Sequence, residues 1–427
     1  MNEDLLKESE IVLRKLDSIE KFHSRYNVVP YREAGKLVDV LKKLAENIPE
    51  IKAPENEDEL IQSELKRRLN GEALSLEQRI TARKYDFDTI ISIYAIPKED
   101  ICCLKDWLLE NKETALEAIE RLYQTKDVQN YDLDLPADIP SVKRQAEEFA
   151  AIHIQKYHKR LGKLLMDLTR VGEFLRDIDA VPTSEGRSYF HTLTNTLAIG
   201  IPAICYTNED GSLQIRERDL ITLYGHEGMG HALNQVVTKA NGLPYFLKKN
   251  TRLTSATMES VAQFYQKMIF QDLKKSPQTQ KDLGIEHKFD EIYQDAEDSS
   301  VIHDFRIKFL QYAVTVIADK SLGDPQDSET VNKKIQILNE VTIDPTFPTD
   351  FVESKRFSFD SDGNFDHTYV SELRYCAQSV KRALEEFSKQ GIKYEGQGRS
   401  KIDSVLLKGF WTPIGYVDNA RLRAKEK

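Results

Sequence analysis

Apolar residues recur at intervals of three and four along most of the chain, with charged residues between them, which is the spacing of amphipathic helices. The pattern is clearest before residue 125, in residues 5–22, 33–45 and 57–69. It returns over residues 143–178 and dominates again from about Arg216 to the end of the sequence. We therefore predict a mainly α fold.

The pattern changes after Pro182. Residues 188–215 are rich in β-branched and aromatic residues, and Glu209, Asp210 and Gly211 are typical of a hairpin turn. We predict a small β-sheet in this segment. Polar, Pro-containing residues 126–142 are expected to connect two helical regions, and loops are expected near residues 275–284 and 342–350, with a short hairpin compatible with residues 357–366.

Charge and composition exclude several classes of protein. The 427 residues include 60 Lys and Arg against 70 Asp and Glu, interspersed along the chain, which argues against a nucleic-acid partner. No run of about 18 apolar residues occurs and the N-terminus is polar, so we expect no membrane partner and a cytoplasmic location. The cysteines have neither ligand-like nor disulfide-like spacing and are expected to be reduced: Cys102, Cys103, Cys205 and Cys376.

A His-Glu motif follows the predicted sheet. His226, Glu227 and His231 form HExxxH, one residue longer than the HExxH of many zinc sites. At about 100° per residue, positions five apart point about 140° apart on an α-helix, which is too far for two imidazoles to reach one metal. A π-type turn absorbs one extra residue and would bring both histidines to a common face.

Three glycines lie in and beside this motif. Gly225, Gly228 and Gly230 each cost a helix interior about 1 kcal/mol relative to Ala, so they need another reason to be there. Bulge geometry, or close approach of a strand or substrate backbone, would supply one. By contrast, His153 and His158 are also five apart but lack the following glutamate, so we interpret them as structural or exposed.

Glu259 is the best candidate for a third metal ligand. It lies at the edge of the apolar stripe of a second predicted helix, although Glu286 and Glu291 could compete for this role. Gln263, one turn further on, could accept a hydrogen bond from a ligand histidine.

These residues resemble the zinc peptidases that take a third ligand from a glutamate on a second helix. The HExxxH form with Gly230 before the second histidine is similar to that of dipeptidyl peptidase III. The run from His226 to Gln235, HEGMGHALNQ, also resembles a bacterial family with an HEGxPGHH signature, although it lacks that proline and one residue. Thimet oligopeptidase-like and carboxypeptidase Taq-like enzymes are more distantly similar. The match covers about residues 198–265.

The resemblance and the residue chemistry assign the same roles. His226, His231 and Glu259 would hold one Zn²⁺, and Glu227 would be the general base that activates water for attack on a peptide bond. Oxyanion stabilisation needs a further donor, for which His367, Tyr369 and Tyr375 are candidates. A strand over residues 199–207 could pair with the backbone of a peptide substrate.

We therefore expect a large helical metallopeptidase-like fold with a small β-sheet before the metal-binding helix. Residues 1–180 would wall the cleft and residues 181–427 would form the catalytic region, and we expect the two to form one continuous unit. Two alternatives stay open: a non-catalytic helical scaffold or regulatory protein that retains the motif, and a metal-dependent hydrolase of a non-peptide amide. A chain of this length needs no metal to fold, so the zinc would serve chemistry.

Overall fold

The fold was analysed in a computed structural model that describes residues 3–26, 31–81, 84–124, 140–208, 210, 212–355, 358–365 and 378–426. It is mainly α, as the sequence predicts. The helices before the sheet are α1 (Glu3–Tyr26), α2 (Tyr31–Glu46), α3 (Glu57–Thr81), α4 (Phe87–Tyr94), α5 (Glu99–Cys102), α6 (Leu104–Gln124) and α7 (Pro140–Leu168). A 3₁₀ helix, Arg170–Asp177, leads from α7 to the sheet.

The sheet region contains five short strands and one helical turn among the described residues. These are β1 (Asp179–Thr183), β2 (Tyr189–His191), β3 (Thr196–Gly200), α8 (Ile201–Ile204), β4 (Cys205–Thr207) and β5 (Leu213–Ile215). Strand β3 lies between β1, to which it is parallel, and β2, to which it is antiparallel. Strands β4 and β5 form a separate antiparallel hairpin. The small sheet and the hairpin near Asp210 are therefore confirmed.

Helices dominate the remainder of the chain. They are α9 (Glu217–Leu223), the π-helix Tyr224–Leu233, α10 (Asn234–Ala240), α11 (Arg252–Lys274), α12 (Pro277–Leu283), α13 (Phe289–Ala318), α14 (Ser328–Asn339), α15 (Phe347–Lys355), α16 (Ser379–Lys389), α17 (Gly396–Leu406) and α18 (Pro413–Lys425). Three short 3₁₀ segments, Tyr245–Lys248, Glu286–Lys288 and Lys320–Leu322, connect them. In the part of the chain that the structure describes, no helix is both long and apolar enough to cross a bilayer.

Three local predictions were wrong. Residues 199–207 do not form one strand, because Pro202 lies in the first turn of α8, which separates β3 from β4. The segment expected as a loop at 275–284 contains α12, with Pro277 in its first turn and Gly284 at φ 79° beyond its last turn. Residues 342–346 do form the second expected loop, so this prediction is wrong only in its extent, because α15 begins at Phe347.

The other two local predictions fall partly outside the described residues. Phe359 and Phe365 form an antiparallel bridge around a turn closed by Asp360 and Asn364, at the position of the hairpin considered at 357–366. Positions 357 and 366 themselves lie outside the described residues, as does most of the connection at 126–142.

Buried apolar side chains form two hydrophobic cores. The first core combines α1–α3, α7, the sheet, the π-helix, most of α11 and α16–α18. The second core combines α4, α6, the C-terminal half of α13, α14, α15, Phe359 and Phe365. Two helices contribute to both cores. Helix α11 contributes Val261 to the first core and Leu253 to the second, and helix α13 contributes Phe289 to the first and Phe305 to the second. These two long helices therefore join the two halves of the molecule.

Candidate metal centre

The histidine motif lies in the middle of one continuous helix. Backbone angles stay helical from Leu223 (φ −63°, ψ −38°) through the π-helix to Asn234 (φ −57°, ψ −43°). The π-type geometry predicted from the five-residue histidine spacing is thus confirmed. It brings the imidazole rings of His226 and His231 to a centroid distance of 5.0 Å, with their planes at 81°.

Close packing against α11 explains two of the three glycines. A Cβ atom on Gly225 would lie 2.9 Å from the Cα of Gln266, and one on Gly230 would lie 2.3 Å from the Cα of Ala262. A Cβ on Gly228 would meet Leu197 of β3 at 3.3 Å. The approaching backbone is therefore that of a neighbouring helix, and not the strand or substrate backbone that the sequence suggested.

This close approach brings Glu259 to the two histidines. Its Oε2 lies 3.5 Å from Nε2 of His226, and its Oε1 lies 3.9 Å from Nε2 of His231. One ligand atom from each of the three residues falls within 4.8 Å of the others, and no other such group occurs among the described His, Cys, Asp and Glu residues. Glu286 and Glu291, the competing candidates, are exposed and do not belong to this group.

The donor types suit a zinc ion, and their spacing is somewhat wider than a bound ion needs. With bonds of about 2.0–2.1 Å, ligand atoms around a tetrahedral Zn²⁺ lie about 3.4 Å apart. The separations from the two oxygens of Glu259 are 3.5 and 3.9 Å, and single ligand atoms of the three residues lie within 4.8 Å of one another, so the side chains would draw together around an ion. Two imidazole nitrogens and one carboxylate are a common catalytic set, with a fourth position left open. Each of the three side chains keeps about a fifth of its surface accessible, 22% for His226 and Glu259 and 21% for His231.

Gln266 holds the orientation of His226. Its Oε1 lies 3.1 Å from Nδ1 of that ring, so Nδ1–H donates to the amide oxygen and the Nε2 lone pair is directed to the side of Glu259. We predicted Gln263 for this role, and that prediction was wrong: Nε2 of Gln263 lies 3.5 Å from Nε2 of His303. Position 266 is seven residues, or about two turns, beyond Glu259, so it shares the same face of α11.

Burial sets the protonation of the site. Burial raises the pKa of Glu227 to about 7; the charge of His226 opposes this rise, and the charge of Glu259 adds to it. Burial lowers the pKa of His231 to about 4. Burial also opposes the charged form of His226, but a hydrogen bond to Glu259 and the charges of Glu227 and Glu259 raise its pKa overall. Two carboxylates and two imidazoles thus share a largely desolvated site, which a divalent cation would neutralise.

The other histidine pair has a structural environment. Nδ1 of His153 lies 3.0 Å from the carbonyl oxygen of Phe149, and Nδ1 of His158 lies 3.1 Å from the hydroxyl of Tyr224. Tyr224 is the buried first residue of the π-helix. His158 therefore supports the π-helix from α7.

The three candidates for oxyanion stabilisation, His367, Tyr369 and Tyr375, lie outside the described residues, and their role stays a prediction. The chain that follows them contacts α11 next to Glu259, and it also contacts α5. The backbone N–H of Val380 donates to Oγ of Ser260, the residue after Glu259, at 3.3 Å. The backbone N–H of Gln378 and the side chain of Arg382 both donate to Asp100.

A cavity of about 760 Å³ adjoins the metal centre. Its walls come from α6, α9, α11 and α13, and they include Thr222, Gln266 and His303. The three proposed ligands are not on its lining. Two lining residues lead to them: Gln266 is hydrogen-bonded to His226, and His303 contacts Gln263, one turn beyond Glu259. Sequence reasoning missed both residues, because their roles depend on how α11 packs against the π-helix and α13.

Neither a scan against protein-family models nor searches of curated proteins and of solved structures gave a match.

Proposed function

We propose that the protein is a zinc-dependent peptidase that hydrolyses short peptides. The observation that carries the proposal is the convergence of His226, His231 and Glu259 beside Glu227, on a helix whose π-type geometry makes that convergence possible. A helix with two unrelated surface histidines has no need of three glycines, nor of a carboxylate on a second helix directed at both rings.

The chain's own residues support hydrolysis beyond metal binding. When bound, Zn²⁺ supplies Lewis acidity, which acidifies water and polarises a carbonyl oxygen. Glu227 is partly buried next to His226, in a position to accept a proton from water and then give it to the leaving amine nitrogen; without a metal, burial raises its pKa to about 7, and a bound cation would favour the carboxylate form that accepts the proton. Gln266 keeps Nε2 of His226 available as a ligand.

The cavity supports a substrate of peptide size. A volume of about 760 Å³ is in the range of small-molecule sites and accommodates several residues of a peptide, but not a folded domain. The exposed free thiols of Cys102 and Cys103 suit a reducing compartment, so we propose a cytoplasmic location.

The test is digestion of a mixed peptide library, followed by mass spectrometry, with zinc-loaded protein, chelator-treated protein and the Glu227→Gln variant. We expect cleavage only with the zinc-loaded wild type, and recovery after zinc is returned to the chelated sample. Stoichiometric zinc with no cleavage would favour the scaffold alternative. Undiminished cleavage by Glu227→Gln would refute the assigned general base, and turnover of simple amides alone would favour the non-peptide hydrolase.

A further inference from the structure

A second, smaller cavity of about 290 Å³ lies against the cavity beside the metal centre. The two cavities share Arg306, Ile343 and Asp344 in their linings. The smaller one differs in chemistry, because most of its wall is formed by apolar side chains: Phe305, Phe309, Leu310, Ile343 and Phe347. It is therefore an apolar extension of a polar cleft.

The size and walls of this extension suit one large side chain. Its volume lies at the lower end of small-molecule pockets and is too small for a folded peptide segment. The ring of Phe347 packs edge-on against Phe309 at 5.7 Å and stacks on Phe351 at 5.8 Å, which holds the wall in place. Phe347 is nevertheless 37% exposed, so part of this apolar surface is open to a ligand.

Helix α13 gives the distance from His303 to the extension. His303, Arg306 and Phe309 follow one another at three-residue intervals, and His303 lies 3.5 Å from Gln263 beside the centre. At about 1.5 Å per residue, Phe309 is about 9 Å along the helix from His303. An extended peptide rises about 3.3 Å per residue, so this distance corresponds to about three residues.

The passage between the cavities suits a peptide backbone. Arg306 and Asp344 line both cavities; Arg306 is exposed, and Oδ1 of Asp344 accepts hydrogen bonds from the backbone N–H and the hydroxyl of Thr346, which leaves Oδ2 to face a ligand. A peptide backbone presents both carbonyl oxygens and N–H groups, which such a donor and acceptor can bind. An isolated apolar ligand would gain nothing from this charged boundary.

We propose that the cavity lined by Phe305, Phe309, Leu310 and Phe347 binds a large apolar side chain of a peptide substrate, three or more residues from the cleaved bond. The inference rests on the proposed peptidase function and adds a substrate class to it. Efficient cleavage then requires a peptide that extends at least three residues to one side of the bond. The enzyme would select substrates by a side chain remote from the cleaved bond.

The test measures kcat/KM for two series of peptides that keep the same cleaved bond. One series varies the residues on the N-terminal side of the bond and the other those on the C-terminal side. In each series, Phe, Gly or Glu is placed in turn at every position from one to five residues from the bond. We expect Phe to exceed Gly by about 10-fold or more at one position three or more residues away, with Glu the poorest. Leu310→Glu, which places a charge in the cavity, should reduce the Phe-to-Gly ratio to about 1. Leu109→Glu, the same substitution at an exposed leucine outside both cavities, should keep the ratio.

The outcomes separate the two proposals. If no library peptide is cut by zinc-loaded protein, peptide hydrolysis itself is refuted. If peptides are cut with no remote preference for Phe, the subsite is refuted and peptide hydrolysis stands. Retention of the preference by a folded Leu310→Glu variant would also refute the subsite. Phe347→Ala is a second, milder variant, which should reduce the ratio without introducing a charge.

Discussion

Gly230 and Ala262 mark a close approach of the two helices that carry the candidate metal ligands. A Cβ atom on Gly230 would lie 2.3 Å from the Cα of Ala262 and 2.6 Å from its Cβ, well inside van der Waals contact. The missing side chain therefore lets α11 lie directly against the π-helix. Glu259, three residues before Ala262, reaches both histidines for that reason.

Gly230→Ala should separate the two helices, with a loss of about 2–4 kcal/mol in the free energy of unfolding. Zinc affinity should fall as well, because Glu259 moves away from the histidines. Denaturant unfolding and zinc competition measure the two effects. Gly35→Ala is the matched control, since a Cβ at this helical glycine meets nothing within 4 Å, and it should be neutral or stabilising by up to about 1 kcal/mol. Equal stabilities of the two variants would contradict the close contact.

One zinc ion per chain is expected in protein purified without chelator. Removal of a ligand in His231→Ala or Glu259→Ala should lower zinc affinity more than roughly 100-fold. Loss of a residue that only hydrogen-bonds to a ligand usually costs about 10- to 100-fold, so loss of the ligand itself should cost more. Elemental analysis and chelator competition provide the measurements. Glu286→Ala, at an exposed glutamate outside the site, should bind zinc normally. Undiminished binding by both ligand variants would rule out this centre.

Gln266→Leu should lower zinc affinity about 10- to 100-fold, because Nδ1 of His226 loses its acceptor and the ring loses its fixed orientation. Gln263→Leu, one turn away on the same helix, should have a much smaller effect because Gln263 contacts His303. Competition with a chromophoric chelator compares the two variants directly. If both lose affinity equally, the hydrogen bond to His226 is not what orients the ligand.

Glu227→Gln should stabilise the metal-free protein at high pH. The folded-state pKa of Glu227 is raised to about 7 from an ordinary 4.5, so its carboxyl favours folding below pH 4.5, and this contribution is lost as pH rises through 7. Glutamine does not ionise. The variant should therefore exceed the wild type by about 3 kcal/mol at pH 8, with the difference disappearing below about pH 4. Unfolding curves in the presence of chelator at several pH values test this, and a difference independent of pH would contradict it.

Removal of the metal should leave the fold intact. The two cores are built from helices throughout the chain, so the far-ultraviolet circular dichroism should be unchanged by chelator. Returned zinc should raise the melting temperature, because a ligand at 1,000 times its dissociation constant stabilises the folded state by about 4 kcal/mol. Chelator-induced loss of helical signal would show that the metal is structural.

The features that could be predicted from the sequence are those that depend on neighbouring residues. The spacing of His226 and His231 requires a π-type turn if both imidazoles are to reach one metal, and the change from helical to β-branched pattern after Pro182 indicates the sheet. The apolar stripe of α11 also gives the face on which Glu259 lies. Each of these signals is contained within a single helix or strand.

The features that could not be predicted depend on contacts between distant segments. The choice of Gln266 over Gln263 is decided by how far α11 is rotated against the π-helix, and His303 enters the site only because α13 crosses beside α11. Helix α12 is a different case. Its start signal, Pro277, and its stop signal, Gly284, are present in the sequence, but its seven residues are too few to show a helical period.

Helix α11 links the stability of the centre to that of the whole molecule. Leu253 near its start is buried in the second core, and Val261, Tyr265 and Ile269 beyond Glu259 are buried in the first. An opening of either half alone leaves the other end of the helix packed. Backbone amide hydrogens around Glu259 should then exchange with solvent only through global unfolding, so this carboxylate would keep its position beside the two histidines during local fluctuations elsewhere in the molecule.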